Sequence, residues 1–110
     1  MENNPVILSL SALPVKESIP GARGRFVHTP NMTLAYWQFE AGVSLPEHSH
    51  PHEQITHILD GVFEMTIGGE THRLEAGMVA TIPSNTRHAG VAVTECRLAD
   101  VFYPVREDFR

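Results

Sequence analysis

Residues 42–61, GVSLPEHSHPHEQITHILDG, set two histidines two positions apart and a glutamine four positions beyond the second. Successive side chains of a strand point to opposite faces and residues two apart share one, so His48 and His50 face the same side. A turn through Pro51 and His52 leads into the apolar run ITHIL. A strand returning beside the first brings Gln54 back to the same pocket, and Gly61 ends it. A second stretch, GMVATIPSNTRH at 77–88, runs from a glycine through an apolar strand and a turn rich in Pro, Ser and Asn to His88. Neutral imidazole is the commonest protein ligand for zinc, iron, manganese, copper and nickel, so three histidines converging from two hairpins predict a metal centre. Taken singly, His50-Pro51-His52 also reads as an exposed turn and His88 as a loop residue; the joint spacing carries the metal reading.

The rest of the chain has a period of two, with no amphipathic helical stretch of useful length. Strands are expected at 6–10, 24–28, 32–40, 53–59, 62–67, 70–75, 78–82 and 95–103, with Gly68-Gly69 as a tight hairpin. Short strands at this spacing predict an all-β sandwich or barrel in one domain spanning 1–110. Within it, 1–30 supplies N-terminal strands and a loop, and 40–110 the metal-binding core. Phe63, Met65 and Ile67 read as core. His57 lies an odd number of positions from Gln54 and points outward; His28 and His72 read as surface residues. His52 sits in the turn, where parity fails, and is left either behind the ligands or as a lid.

Composition limits the partners. Eight Lys and Arg against 13 Asp and Glu give a net charge of -5. No basic patch with interleaved aromatics appears, so a nucleic-acid partner is not expected. The single cysteine, Cys96, excludes an internal disulfide and reads as a buried strand residue in a reducing compartment. The apolar VILSLSALPV near the start follows Glu2 rather than a basic segment and lacks a small-x-small cleavage site. No run approaches the roughly 20 apolar residues of a membrane span, so the expected location is the cytoplasm.

Both histidine segments resemble the two motifs of the cupin superfamily, whose small jelly-roll barrels (double-stranded β-helices) hold a divalent metal. The usual pattern has Glu where Gln54 stands, Gly where Asn85 stands and Asn where Ala92 stands. Asn85 tolerates the left-handed backbone that a Gly provides. The family spacing, counted from His50 and from Gly61, selects Gln54 rather than Glu53, and adjacent strand residues cannot both point inward. The resemblance therefore implies His48, His50, Gln54 and His88 as ligands of one divalent transition metal ion, such as Ni, Zn, Mn or Fe. A neutral fourth ligand leaves the metal charge uncompensated. Removing a carboxylate at about 4 Å shifts the potential felt by a bound anion by at most roughly 4 kcal/mol at an effective dielectric near 20. An anionic, oxygen-rich ligand is expected.

The C-terminal CRLADVFYPVREDFR puts Leu98, Asp100 and Phe102 on one strand face. If the two apolar residues face the interior, so does Asp100, which then needs a partner. An ion pair with Arg73, Arg87 or Arg106 would satisfy it; alternatively it is a general acid/base beside the metal cavity. HSHPHEQIT, the GGE at 68–70 and DVFYPVREDF at 100–109 together resemble pectin-degradation cupins of the KdgF type, over roughly residues 40–110. That resemblance implies conversion of 4,5-unsaturated monouronates, released from pectin or alginate, into linear ketonised sugars. It implies Asp100 and Arg106 as catalytic residues, with Phe102, Arg106 and Gln54 contacting the sugar. An iron-dependent dioxygenase and a non-catalytic sugar-acid binder are the alternatives. A homodimer is also expected, through a surface bearing Tyr36 and Phe39 or through the N-terminal strand.

Overall fold

The alternation read from the sequence becomes two antiparallel sheets in a computed structural model that describes residues 4–110. Strand β5, Glu53–Asp60, buries Gln54, Thr56 and Ile58 and exposes the residues between them. Strand β10, Cys96–Tyr103, does the same with Cys96, Leu98, Asp100 and Phe102. The two pair in register, Leu98 against Ile58, Asp100 against Thr56 and Phe102 against Gln54. The shared inner face is thus apolar at one end and, apart from Phe102, polar at the other.

These strands are the centre of a six-stranded sheet ordered β1-β2-β3-β10-β5-β8. Its other members are β1 (Lys16–Ile19), β2 (Ala22–His28), β3 (Thr33–Phe39) and β8 (Val79–Ile82). A four-stranded sheet faces it in the order β4-β9-β6-β7, from Ser44–His48, His88–Ala92, Val62–Ile67 and Glu70–Glu75. Phe39, Ile58, Phe63, Met65, Ile82 and Leu98 fill the space between the sheets. The Phe39 and Phe63 rings stack across it with centroids 5.7 Å apart. This is the expected all-β jelly-roll barrel. No helix among the described residues is long and apolar enough to cross a membrane.

Several expectations are corrected. Residues 6–10 form no strand; an extended segment leads into a single 3-10 turn at Leu10–Ala12. Apolar composition alone cannot make a strand without a neighbour to accept its hydrogen bonds. The first strand is instead β1, whose polar KESI hides the period. Strands β4 and β9 also escaped the pattern: β4 is mostly exposed and contains Pro46, and β9 is built of small residues. Gly90 in β9 must be small, because a Cβ there would run into the Phe63 ring. Phe39 is 1% exposed and belongs to the core, so it cannot share an outward surface with Tyr36; three positions apart on a strand, the two face opposite ways. His28 is half-buried, with Nδ1 2.8 Å from Thr33 Oγ1. Cys96 is buried as expected, and burial pushes its thiol up to about 11.

Gly61 joins β5 to β6 at φ +83°, where a Cβ would strike the Glu95 carbonyl and lie 2.7 Å from the Cys96 Cβ. Gly69, at φ +87°, has nothing within 4 Å of that position. Gly61→Ala is expected to lower stability by about 2–4 kcal/mol, the sum of left-handed strain and overpacking. Gly69→Ala carries only the strain, about 1–2 kcal/mol. Urea unfolding of the two variants beside the parent measures the difference.

Candidate metal centre

Strand pairing brings the histidines together. His48, at the end of β4, pairs directly with His88 at the start of β9, and their ring centroids are 4.2 Å apart. His50 follows after one residue, with its ring 4.9 Å from that of His88. The two motif segments are joined by backbone, since the Asn85 N–H donates to the His50 carbonyl at 2.8 Å. Asn85 holds φ +63°, the left-handed geometry expected of it, and is the one non-glycine residue with positive φ among those described.

The three rings share one protonation pattern. Nδ1 of His48 lies 2.8 Å from the Pro46 carbonyl, that of His50 3.0 Å from the His52 carbonyl, and that of His88 2.8 Å from the Thr86 carbonyl. A carbonyl can only accept, so each neutral ring carries its proton on Nδ1 and leaves Nε2 as a lone pair. Burial lowers the pKa of His50 and of His88, which favours the neutral form. One ring nitrogen from each histidine lies within 4.8 Å of the others. His88 Nε2 is buried without a hydrogen-bond partner.

Gln54 completes the set. Its amide nitrogen donates to Thr56 Oγ1 at 2.9 Å and to Asp100 Oδ1 at 3.2 Å, which fixes which end is oxygen. That oxygen then faces His50 Nε2 at 3.1 Å. Two lone-pair atoms held this close repel one another unless a cation lies between them. Three inward imidazole nitrogens, one orphaned, and an amide oxygen form a donor set that fits a divalent transition metal. Hydrogen bonding to carbonyls is the usual means of orienting histidine ligands.

Asp100 is inward, as its parity required, and 6% exposed. None of the three expected arginines is its ion-pair partner: Arg73 pairs with Glu75, Arg87 with Glu47 and Arg106 with Asp108. Thr56 instead donates to Asp100 Oδ1 at 2.6 Å, with the Gln54 amide also donating at 3.2 Å and the Trp37 indole pulling the carboxyl pKa downward. Burial raises the carboxyl to about 6 against the downward pull of these donors and of Arg106. Thr56 went unrecognised in the sequence, although it has the same parity as Gln54. No local signal marks Trp37 as Asp100's neighbour, since it comes from another strand.

Arg106 and Phe102 line the same cavity of about 170 Å³ as the histidines, Gln54 and Asp100, above a floor that includes Phe63 and Met65. The Arg106 guanidinium packs over two rings set edge to face, 4.7 Å from the Phe102 centroid and 4.2 Å from that of Phe109. Asp108 holds one edge of it through two contacts, Nε to Oδ1 at 3.0 Å and Nη2 to Oδ2 at 2.7 Å. The Arg106 N–H donates to Thr33 Oγ1 at 2.9 Å, which fastens the C-terminal segment across the cavity end. His52 contributes its carbonyl to orienting His50, and its ring is not one of the three clustered imidazoles. His57 and His72 are exposed, as expected.

The fold is shared with known proteins. The solved structure of KdgF from Halomonas sp. superimposes with a TM-score of 0.92 at 27% identity, covering 97% of this chain and all of that one. An RmlC-like cupin from Shewanella frigidimarina gives a TM-score of 0.92 at 23% identity over the full length of both chains. Salicylate 1,2-dioxygenase from Pseudaminobacter salicylatoxidans shares the fold at a TM-score of 0.75 and 18% identity, over 78% of this chain and 27% of that one. A Streptomyces coelicolor protein of uncharacterised function is 26% identical over 85 residues, 76% of this chain and 81% of its own. The model of the cupin domain matches residues 35–102, which include the clustered histidines, Gln54 and Asp100. The chain belongs to the cupin family.

Proposed function

We propose that this protein is a metal-dependent enzyme that converts 4,5-unsaturated monouronates from pectin or alginate breakdown into linear ketonised uronates. The observation that carries the reading is Asp100, a buried carboxyl raised to about 6 and hydrogen-bonded to the amide whose oxygen joins the histidine cluster. A carboxyl balanced between its two protonation states near neutral pH suits a group that must take up and return a proton. The likeness to KdgF from Halomonas sp. supports the same reading.

The chemistry asked of these residues is an isomerisation. The substrate carries a C4–C5 double bond beside its carboxylate and a hemiacetal at C1. Removing the O1 proton lets C1=O form as the C1–O5 bond breaks, leaving an enolate across O5, C5 and C4. Protonation at C4 then gives the 5-ketone, and no atom is gained or lost. Asp100 is the group able to accept the first proton and to return one at C4. A divalent metal would be held by His48, His50, Gln54 and His88 and would supply Lewis acidity toward the bound sugar. Arg106 offers the guanidinium edge that Asp108 leaves free to the same carboxylate. Phe102 presents an apolar ring face to the sugar. Gln54, uncharged, avoids the repulsion that a carboxylate ligand would impose on an anionic substrate.

Loss of the unsaturated-uronate absorbance, followed against the spontaneous rate, tests the assignment. Metal-loaded protein should accelerate the loss, chelation should return it to the buffer rate, and Asp100→Asn should cost about 10²–10⁴-fold with metal content unchanged. A loaded protein no faster than buffer on both pectin-derived and alginate-derived sugars overturns the uronate reading. Oxygen uptake with iron would then test a dioxygenase.

Arg106→Ala removes one charged contact to the substrate carboxylate. KM should rise about 10–100-fold, as the loss of a charge-assisted hydrogen bond implies. Steady-state kinetics alongside metal analysis check that the metal remains bound and that kcat falls less than KM rises.

A further inference from the structure

Thr56 is fully buried on the inner face of β5, between Gln54 and Ile58 and opposite Asp100. Burying a hydroxyl costs free energy unless its hydrogen bonds are made, and valine fills nearly the same volume without that cost. The Thr56 hydroxyl makes two such bonds. Its single proton goes to Asp100 Oδ1 at 2.6 Å, so toward the Gln54 amide nitrogen, 2.9 Å away, its oxygen can only accept. The same amide nitrogen reaches Asp100 Oδ1 at 3.2 Å. Three side chains thus close a ring of hydrogen bonds.

The ring admits one orientation of the amide. Turned over, Gln54 would set its oxygen against Asp100 Oδ1 and against a hydroxyl with no second proton to give. Its NH2 would then point at His50 Nε2, which the amide oxygen now faces at 3.1 Å. A hydrogen bond there would use up the imidazole lone pair that a metal needs, and binding would weaken by the fraction of molecules so turned. The ring also divides the carboxylate of Asp100, which borders the cavity. Thr56 and Gln54 both end on Oδ1, and Oδ2 is committed to neither. We propose that Thr56 is a positioning residue that sets two groups through one hydroxyl: it keeps Gln54 an oxygen donor to the metal, and it commits Asp100 Oδ1 so that the carboxylate works on the sugar through Oδ2. The first role is independent of the reaction; the second rests on the uronate reading. In that reaction Oδ2 takes the O1 proton and delivers a proton at C4, while Oδ1 keeps its bond from Thr56 throughout.

Competition for zinc between the full chain and a chromophoric chelator tests the first role. Thr56→Val keeps the volume and removes the hydroxyl, and its zinc dissociation constant should rise about 10–100-fold, the usual cost of losing a group that orients a ligand. Thr56→Ser keeps the hydroxyl and should bind zinc as the parent does. Should circular dichroism show Thr56→Val unfolded, Thr56→Ala against Thr56→Ser makes the same comparison, with the methyl absent from both. Zinc affinity that does not follow the hydroxyl overturns the hold on Gln54. At saturating metal, the second role requires kcat on the unsaturated uronate to fall about 10-fold or more in Thr56→Val, the scale of a hydrogen bond to a charged group. KM should stay near that of the parent, and Thr56→Ser should restore kcat. An unchanged kcat beside weakened zinc binding sinks the Oδ2 assignment alone. A parent chain inactive on both sugars removes the uronate reading and the Oδ2 assignment with it, while the zinc competition still decides the hold on Gln54.

Discussion

The pairing of β5 with β10 decides what the interior of this protein is. Asp100 stands against Thr56 and Phe102 against Gln54, while Leu98 meets Ile58 at the other end of the same two strands. A slip of β5 by one residue would turn Gln54 and Thr56 to solvent and bring Ile55 into the barrel, and a slip of β10 would do the same with Asp100 and Val101. The register is held because Cys96, Leu98 and Ile58 pack among Phe39, Phe63 and Ala92 at the closed end, where no polar residue intrudes. Apolar packing at one end of the strands thus sets the geometry of the polar groups at the other.

Those polar groups form a directed chain. Thr56 and the Gln54 amide both donate to Asp100, and the orientation this imposes turns the Gln54 oxygen toward the histidines. The buried carboxyl and the candidate metal site are therefore coupled through a single amide. A Glu at position 54 could make neither donation when ionised and would add a second carboxylate next to Asp100. The glutamine is thus part of how this chain keeps a buried acid beside a cation site.

Arg106 is placed by a different principle. Two aromatic rings and one carboxylate hold it, so it keeps little side-chain freedom. Its anchors, Phe109 and Asp108, lie in the last turn of the chain, and Thr33 fastens that turn to β3. The C-terminal segment is accordingly a wall of the cavity.

The sequence by itself determined the fold class and the inward parity of Gln54 and Asp100, because alternation along a strand is a local property, and it marked the histidine set through motif spacing. Strand 62–67, with a clear apolar period, and 70–75, its partner across the Gly68-Gly69 hairpin, were legible to the residue. Strands β1, β4 and β9 were not, since polar, proline-containing or small-residue strands carry no period. Only the tertiary structure decided that residues 6–10 find no neighbouring strand, that Asp100 is held by Thr56 rather than by an arginine, and that Asp108 and Phe109 brace Arg106. Each of these depends on which elements become neighbours across the barrel, and that is set by the packing of the whole chain.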